Sequence, residues 1–145
     1  MINENQFNEI VFNKYSLKKN NVTFWGSPLK KFIKKIYSKL DIPEESLCIS
    51  LFYLNKFYYL NKKNLKLIDD FFNNIKVYIF SSIVISLKQL LDFKFNINDM
   101  TNLLDINYNH YIITELKILT FLNWDTFLNN EEYFEFKKLL VRYMD

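Results

Sequence analysis

The 145-residue chain has one glycine, two prolines, one cysteine, one histidine and no alanine. Strand-rich folds need several glycine-containing tight turns, and dinucleotide or phosphate loops need glycine where the backbone must approach the ligand. With Gly26 alone, neither theme organises this chain. A single cysteine excludes an internal disulfide framework. Cys48, among apolar residues in "ESLCISLF", reads as an inert buried thiol in a reducing compartment. His110, in "NYNHYII", has no nucleophile at legible spacing and reads as a surface or capping residue rather than a base. Asp69, Asp70, Asp99 and Asp105 fall at helix ends, where acids are expected as caps, so no metal site, hydrolase or cofactor is read from them. No stretch approaches eighteen uninterrupted apolar residues, and "MINENQFNEI" has no basic segment followed by an apolar one. The expectation is a soluble intracellular protein of cytoplasm or nucleus, with no membrane partner. Nineteen basic against sixteen acidic residues leave a net charge of +3, spread along the chain, and no nucleic-acid partner is expected.

What is present is apolar and aromatic. Half the residues are hydrophobic and 19% aromatic, enough for one core in one domain. Asn, Lys, Ile, Phe and Tyr are abundant through a bias of the coding genome, so the weight falls on periodicity rather than propensity. Leu29, Phe32, Ile33, Ile36, Tyr37 and Leu40 recur at helical spacing after Ser27-Pro28, an N-cap followed by proline, which predicts a helix over Pro28 to Leu40. Its other face, Lys30, Lys31, Lys34, Lys35 and Lys39, reads as solvated. Pro43 opens a second helix, apolar round most of its circumference and therefore central. A short apolar run from Leu65 to Phe72 leads into a third, Asn74 to Asp92. Asn98 is expected to cap a short fourth. A fifth, Asn107 to Leu122, carries Tyr111, Ile112, Glu115, Ile118, Leu119 and Leu122 in one stripe. A sixth, amphipathic helix presents Phe134, Leu139 or Leu140, and Tyr143 to the core. Trp25 reads as a hydrophobic staple or a clasp for the N-terminal extension. The organisation is an extension over 1–26, a helical unit over 27–128 and a C-terminal helix over 129–145.

Two charges interrupt apolar surfaces: Lys88 in "IFSSIVISLKQLLDFKF" and Glu115 on the stripe of the fifth helix. An unpaired ion in an apolar interior costs several kcal/mol, roughly, or neutralises itself, so the two are expected to meet each other or backbone groups. Either they form an internal ion pair, or they stand at the rim of an apolar surface and offer an ammonium and a carboxylate to a partner.

Three phrases in register then resemble the cyclin box, and most closely the single-box P-type (U-type) cyclins. "YLNKF", Tyr53 to Phe57, resembles the family's "YIDRF". "SLKQLLD", Ser86 to Asp92, resembles "AAKFLDD". "ELKILTFLNWDTF", Glu115 to Phe127, resembles a glutamate followed by an apolar stripe and "LxFDL". The resemblance covers about Ser27 to Leu128 and implies an all-α, single cyclin-box bundle of five core helices with flanking N- and C-terminal helices. It also implies a regulatory subunit, with no chemistry of its own, that binds and activates a cyclin-dependent-type protein kinase. Lys88 and Glu115 match the pair that hydrogen-bonds kinase main chain near its αC helix, and Ile85, Leu119, Leu122 and Trp124 match the apolar positions around it. The departures are Asn55 and Lys56 for the usual Asp and Arg, Asp92 alone for the acidic pair, and no "MRAILVDW" phrase, whose absence is normal in the P-type branch. With those acids lost, the alternative is a cyclin-fold adaptor that holds a complex together without activating a kinase.

Overall fold

The computed structural model describes Phe32, Lys35, Ile36, 38–90 and 96–144. Among these residues there are six helices and no strands: α1 Glu44–Asn61, α2 Leu65–Asn73, α3 Ile75–Leu90, α4 Ile97–Leu103, α5 Tyr108–Phe121 and α6 Asn130–Met144. Helical residues also precede α1: Phe32 and Ile36 are buried and Lys35 and Lys39 exposed, as the spacing predicts, with Leu40 buried just past them, while Leu29, Ile33 and Tyr37 lie outside the described residues. The readings for Trp25, the 1–26 extension, Lys30, Lys31, Lys34 and Asp92, and the contacts of Leu139, Leu140 and Tyr143, lie outside the residues and side chains described.

α1 and α3 form the centre. Pro43, extended at φ −63°, stands at the N-cap of α1. From there Leu47, Leu51, Tyr53, Leu54 and Phe57 are buried on every side of the helix, because α3, α5, α6 and α2 all pack against it. In α3 every residue from Tyr78 to Leu87 is buried. An aromatic cluster locks α2 to this pair: the Phe71 ring centroid lies 5.0 Å from Tyr78 and 5.5 Å from Phe57, in tilted and edge-on geometries that aromatic quadrupoles favour. α1 and α3 also carry Ser46, Ser50, Ser81, Ser82 and Ser86, all fully buried. In a chain without alanine, serine is the small residue that lets two helices approach. Three of these hydroxyls bond the preceding turn, Ser50 to the Leu47 carbonyl (2.7 Å), Ser82 to that of Ile79 (2.8 Å) and Ser86 to that of Ile83 (2.6 Å), whereas those of Ser46 and Ser81 have no partner among the described residues. Ser86 also reaches across to the Ser46 carbonyl at 3.0 Å.

Asparagine does the capping. The side chains of Asn64, Asn96, Asn107 and Asn129 each accept from a backbone N–H three residues on, satisfying an otherwise orphaned donor at the starts of α2, α4, α5 and α6. The cap of α4 is thus Asn96 rather than Asn98, which lies inside the helix. Two further expectations are corrected. α5 buries Tyr111, Thr114 and Ile118, with Leu122 following, while Ile112 is 44% exposed. α6 seats Tyr133 and Phe136 against Phe52 of α1, with ring centroids 5.6 and 5.7 Å away, and turns Phe134 to solvent. No helix among the described residues is long and apolar enough to cross a membrane.

Candidate docking surface

Lys88 lies in the last turn of α3 and Glu115 in the middle of α5. Packing of those helices brings the Lys88 ammonium to 2.8 Å from Glu115 Oε1. The second carboxylate oxygen accepts from the hydroxyl of Tyr111, one turn earlier on α5. Burial pushes the Tyr111 hydroxyl far above the usual tyrosine range, and the bond to Glu115 and its charge push it further, so the phenol stays a donor. The carboxylate is 14% exposed but Lys88 is 46% exposed. Neither charge is alone, and Lys88, with three donors of which one is committed to Glu115, faces outward.

The apolar residues around the pair divide into two layers. Ile85 and Leu122 are in the core, beneath the surface. Leu119 is half-buried and Trp124 is exposed. The outer layer includes residues the sequence reading did not single out: Tyr108, Ile113 and Leu116 are exposed together with Ile112. On a 3.6-residue turn Tyr108, Ile112, Glu115 and Leu119 share one stripe of α5, with Leu116 beside it. The signal available was the width of the apolar arc of α5, broader than one packing face requires. A contiguous exposed apolar surface of this kind marks an interaction site more often than scattered hydrophobic residues do.

The segment after α5 is fastened in place. Tyr53 of α1 donates to the Thr126 carbonyl (2.9 Å), Gln89 of α3 to the Thr126 hydroxyl (3.1 Å), and Asn61 to the Phe121 carbonyl (3.1 Å). Lys56 pairs with Asp125 at 2.9 Å. The cation of "YLNKF" thus finds its acid in "NWD". Burial raises the Tyr53 hydroxyl to about 12, with the Asp125 charge adding to it. This anchored segment displays Trp124, held at φ 58° after Asn123 at φ 56°. Successive left-handed residues usually call for glycine.

The tyrosine–carboxylate–lysine arrangement recurs. Asp70 of α2 accepts from Tyr78 of α3 (2.6 Å) and pairs with Lys117 of α5 (2.9 Å), and Glu45 of α1 accepts from Tyr133 and pairs with Lys137 of α6 (2.9 Å). Burial works to raise both carboxyls, but the hydrogen bonds from tyrosine and lysine and the lysine charge hold them below the usual range. All three pairs join two helices and are partly exposed; the Lys88–Glu115 pair combines the most buried of the three carboxylates with the most exposed of the three lysines.

Cys48 is buried, and among the described residues no three His, Cys, Asp or Glu side chains converge as a metal site. The arrangement is suited to docking. Comparison with protein-family models, curated proteins and solved structures found no match to this chain.

Proposed function

We propose that this chain is a cyclin-box regulatory subunit of the P type, which binds and activates a cyclin-dependent-type protein kinase through the surface formed by α3 and α5. The observation that carries the reading is the Lys88–Glu115 pair. The two residues that match the family's kinase-contacting positions are joined at 2.8 Å, with the lysine half-exposed, beside the stripe of Tyr108, Ile112, Leu116 and Leu119. The apolar stripe supplies area, and the pair offers an ammonium donor and a carboxylate acceptor to a kinase main chain near its αC helix. Docking there drives αC inward, so that its glutamate pairs with the ATP-binding lysine, a shift of population toward the active kinase. Trp124 extends the contact surface beyond the end of α5.

The test is co-precipitation from the protein's own cells with Lys88→Ala and Glu115→Gln, the glutamine retaining an acceptor for Tyr111. Each variant is expected to keep its melting temperature within a few degrees and to weaken kinase capture by roughly 2–5 kcal/mol, the cost of stripping one side of a desolvated charged contact. Full kinase capture by both folded variants overturns the assignment of the pair. Capture of a stable complex with no kinase in it makes the adaptor the better reading.

A further inference from the structure

Residues of α1 and α6 line a groove of about 520 Å³: Phe52, Asn55, Lys56, Tyr59, Glu131, Glu132, Glu135 and Phe136. Its volume falls in the range that holds small ligands or a few side chains, and Phe52, Tyr59 and Phe136 make part of its lining apolar. Tyr59 is 57% exposed, and its ring already has a cation on it, Lys62 Nζ at 4.8 Å from the centroid. An ammonium or guanidinium is therefore compatible with this wall.

The charge of the groove sets the sign of its occupant. Lys56, the one cation in the lining, is committed to Asp125 at 2.9 Å. Glu131 and Glu132 form no salt bridge among the described residues, and Glu135 meets only the exposed Lys138 at 3.5 Å. The first two also complement the positive end of the α6 dipole. Glu135 lies a turn further along, so the dipole accounts for only part of the acidic wall. Lys62, over the ring of Tyr59 and outside the lining, adds one cation at the rim, so the acidic character of the groove is concentrated on its α6 side, at Glu131, Glu132 and Glu135.

We infer that the α1–α6 groove docks a basic peptide segment of a partner protein, an apolar side chain resting on Phe52, Tyr59 and Phe136 and flanking Lys or Arg residues on Glu131, Glu132 and Glu135. The groove shares no residue with the Lys88–Glu115 surface, so this inference stands or falls independently of the kinase reading. The probe is a fluorescein-labelled decapeptide of alternating arginine and leucine, compared with its glutamate–leucine counterpart by fluorescence polarisation and amide chemical-shift mapping. The expected result is binding of the cationic peptide alone, weakened by added salt, with shifts concentrated in residues 52–59 and 131–136. The Glu131→Gln/Glu132→Gln/Glu135→Gln variant is expected to bind about tenfold or more weaker, and so is Tyr59→Ala, whose exposed ring leaves the fold intact. Equal binding of the anionic peptide, shifts scattered over the whole surface, undiminished binding by the folded triple variant, or no binding at millimolar peptide overturns it.

Discussion

Trp124 is held in the left-handed region, 60% exposed, on a segment pinned by Tyr53, Lys56 and Gln89. A non-glycine residue there costs about 1–2 kcal/mol, and such outliers cluster where structure serves binding. Trp124→Gly and Trp124→Ala both delete the ring, but only glycine removes the backbone cost. The glycine variant is expected to be about 1 kcal/mol more stable than the alanine variant in urea denaturation, while both lose partner capture. Leu51 is the contrasting case, fully buried on the central helix. Leu51→Ala is expected to cost roughly 2–5 kcal/mol of unfolding free energy, read from the denaturant midpoint at unchanged slope.

At the scale of elements, α1 and α3 bury five serines, and these are not equivalent. Ser86 lies within reach of both the Ile83 and Ser46 carbonyls, 2.6 and 3.0 Å, for its single hydroxyl proton, whereas the Ser81 hydroxyl is buried with no hydrogen-bond partner among the described residues. An unsatisfied buried hydroxyl carries a desolvation cost with no return. Ser81→Ala is therefore expected to leave stability unchanged or raise it by about 1 kcal/mol, and Ser86→Ala to lower it by about 0.5–1.5 kcal/mol. Thermal denaturation of the two variants side by side checks the order. Ser81→Ala as the more damaging change would place a water-bridged or otherwise satisfied hydroxyl at that site.

For the whole molecule, the clamps at Asp70 and Glu45 link stability to acid. Both carboxyls are held below their usual range in the folded protein. Each therefore contributes stability that is present above the unfolded value, about pH 4, and is lost as pH falls through the lower folded value. The Asp70 and Glu45 side chains are 36% and 40% exposed, so screening by water and salt keeps each contribution modest. The denaturation midpoint is expected to be flat from pH 7 to about 5 and to decline below about 4. Asp70→Asn and Glu45→Gln are expected each to flatten that decline. An unaltered acid limb in the double variant would rule these clamps out as its cause.

The sequence by itself determined the helical class, the approximate place of most helices and the central position of α1; Leu65 to Phe72 reads in it only as an apolar run, where the structure has the separate helix α2. These rest on local causes: a 3.6-residue repeat, prolines placed to open helices, too little glycine for tight turns, and an α1 segment apolar most of the way round. It also determined that Lys88 and Glu115 must find partners, because each interrupts an apolar stretch. Only the tertiary structure decided which face of α5 turned inward. The apolar arc of that helix is wider than its contact with α3, so its neighbours in sequence allow several rotations, and packing chose Thr114 over Ile112 for burial. Tertiary structure likewise decided that the Lys88–Glu115 pair is half-open, that Lys56 meets Asp125 across 69 residues of chain, and that Phe52 and Tyr59 share a groove with three glutamates of α6. A helix is encoded by residues a turn apart. Its rotation about its own axis, and hence the surface it offers, follows from the sum of contacts with elements far away in the chain.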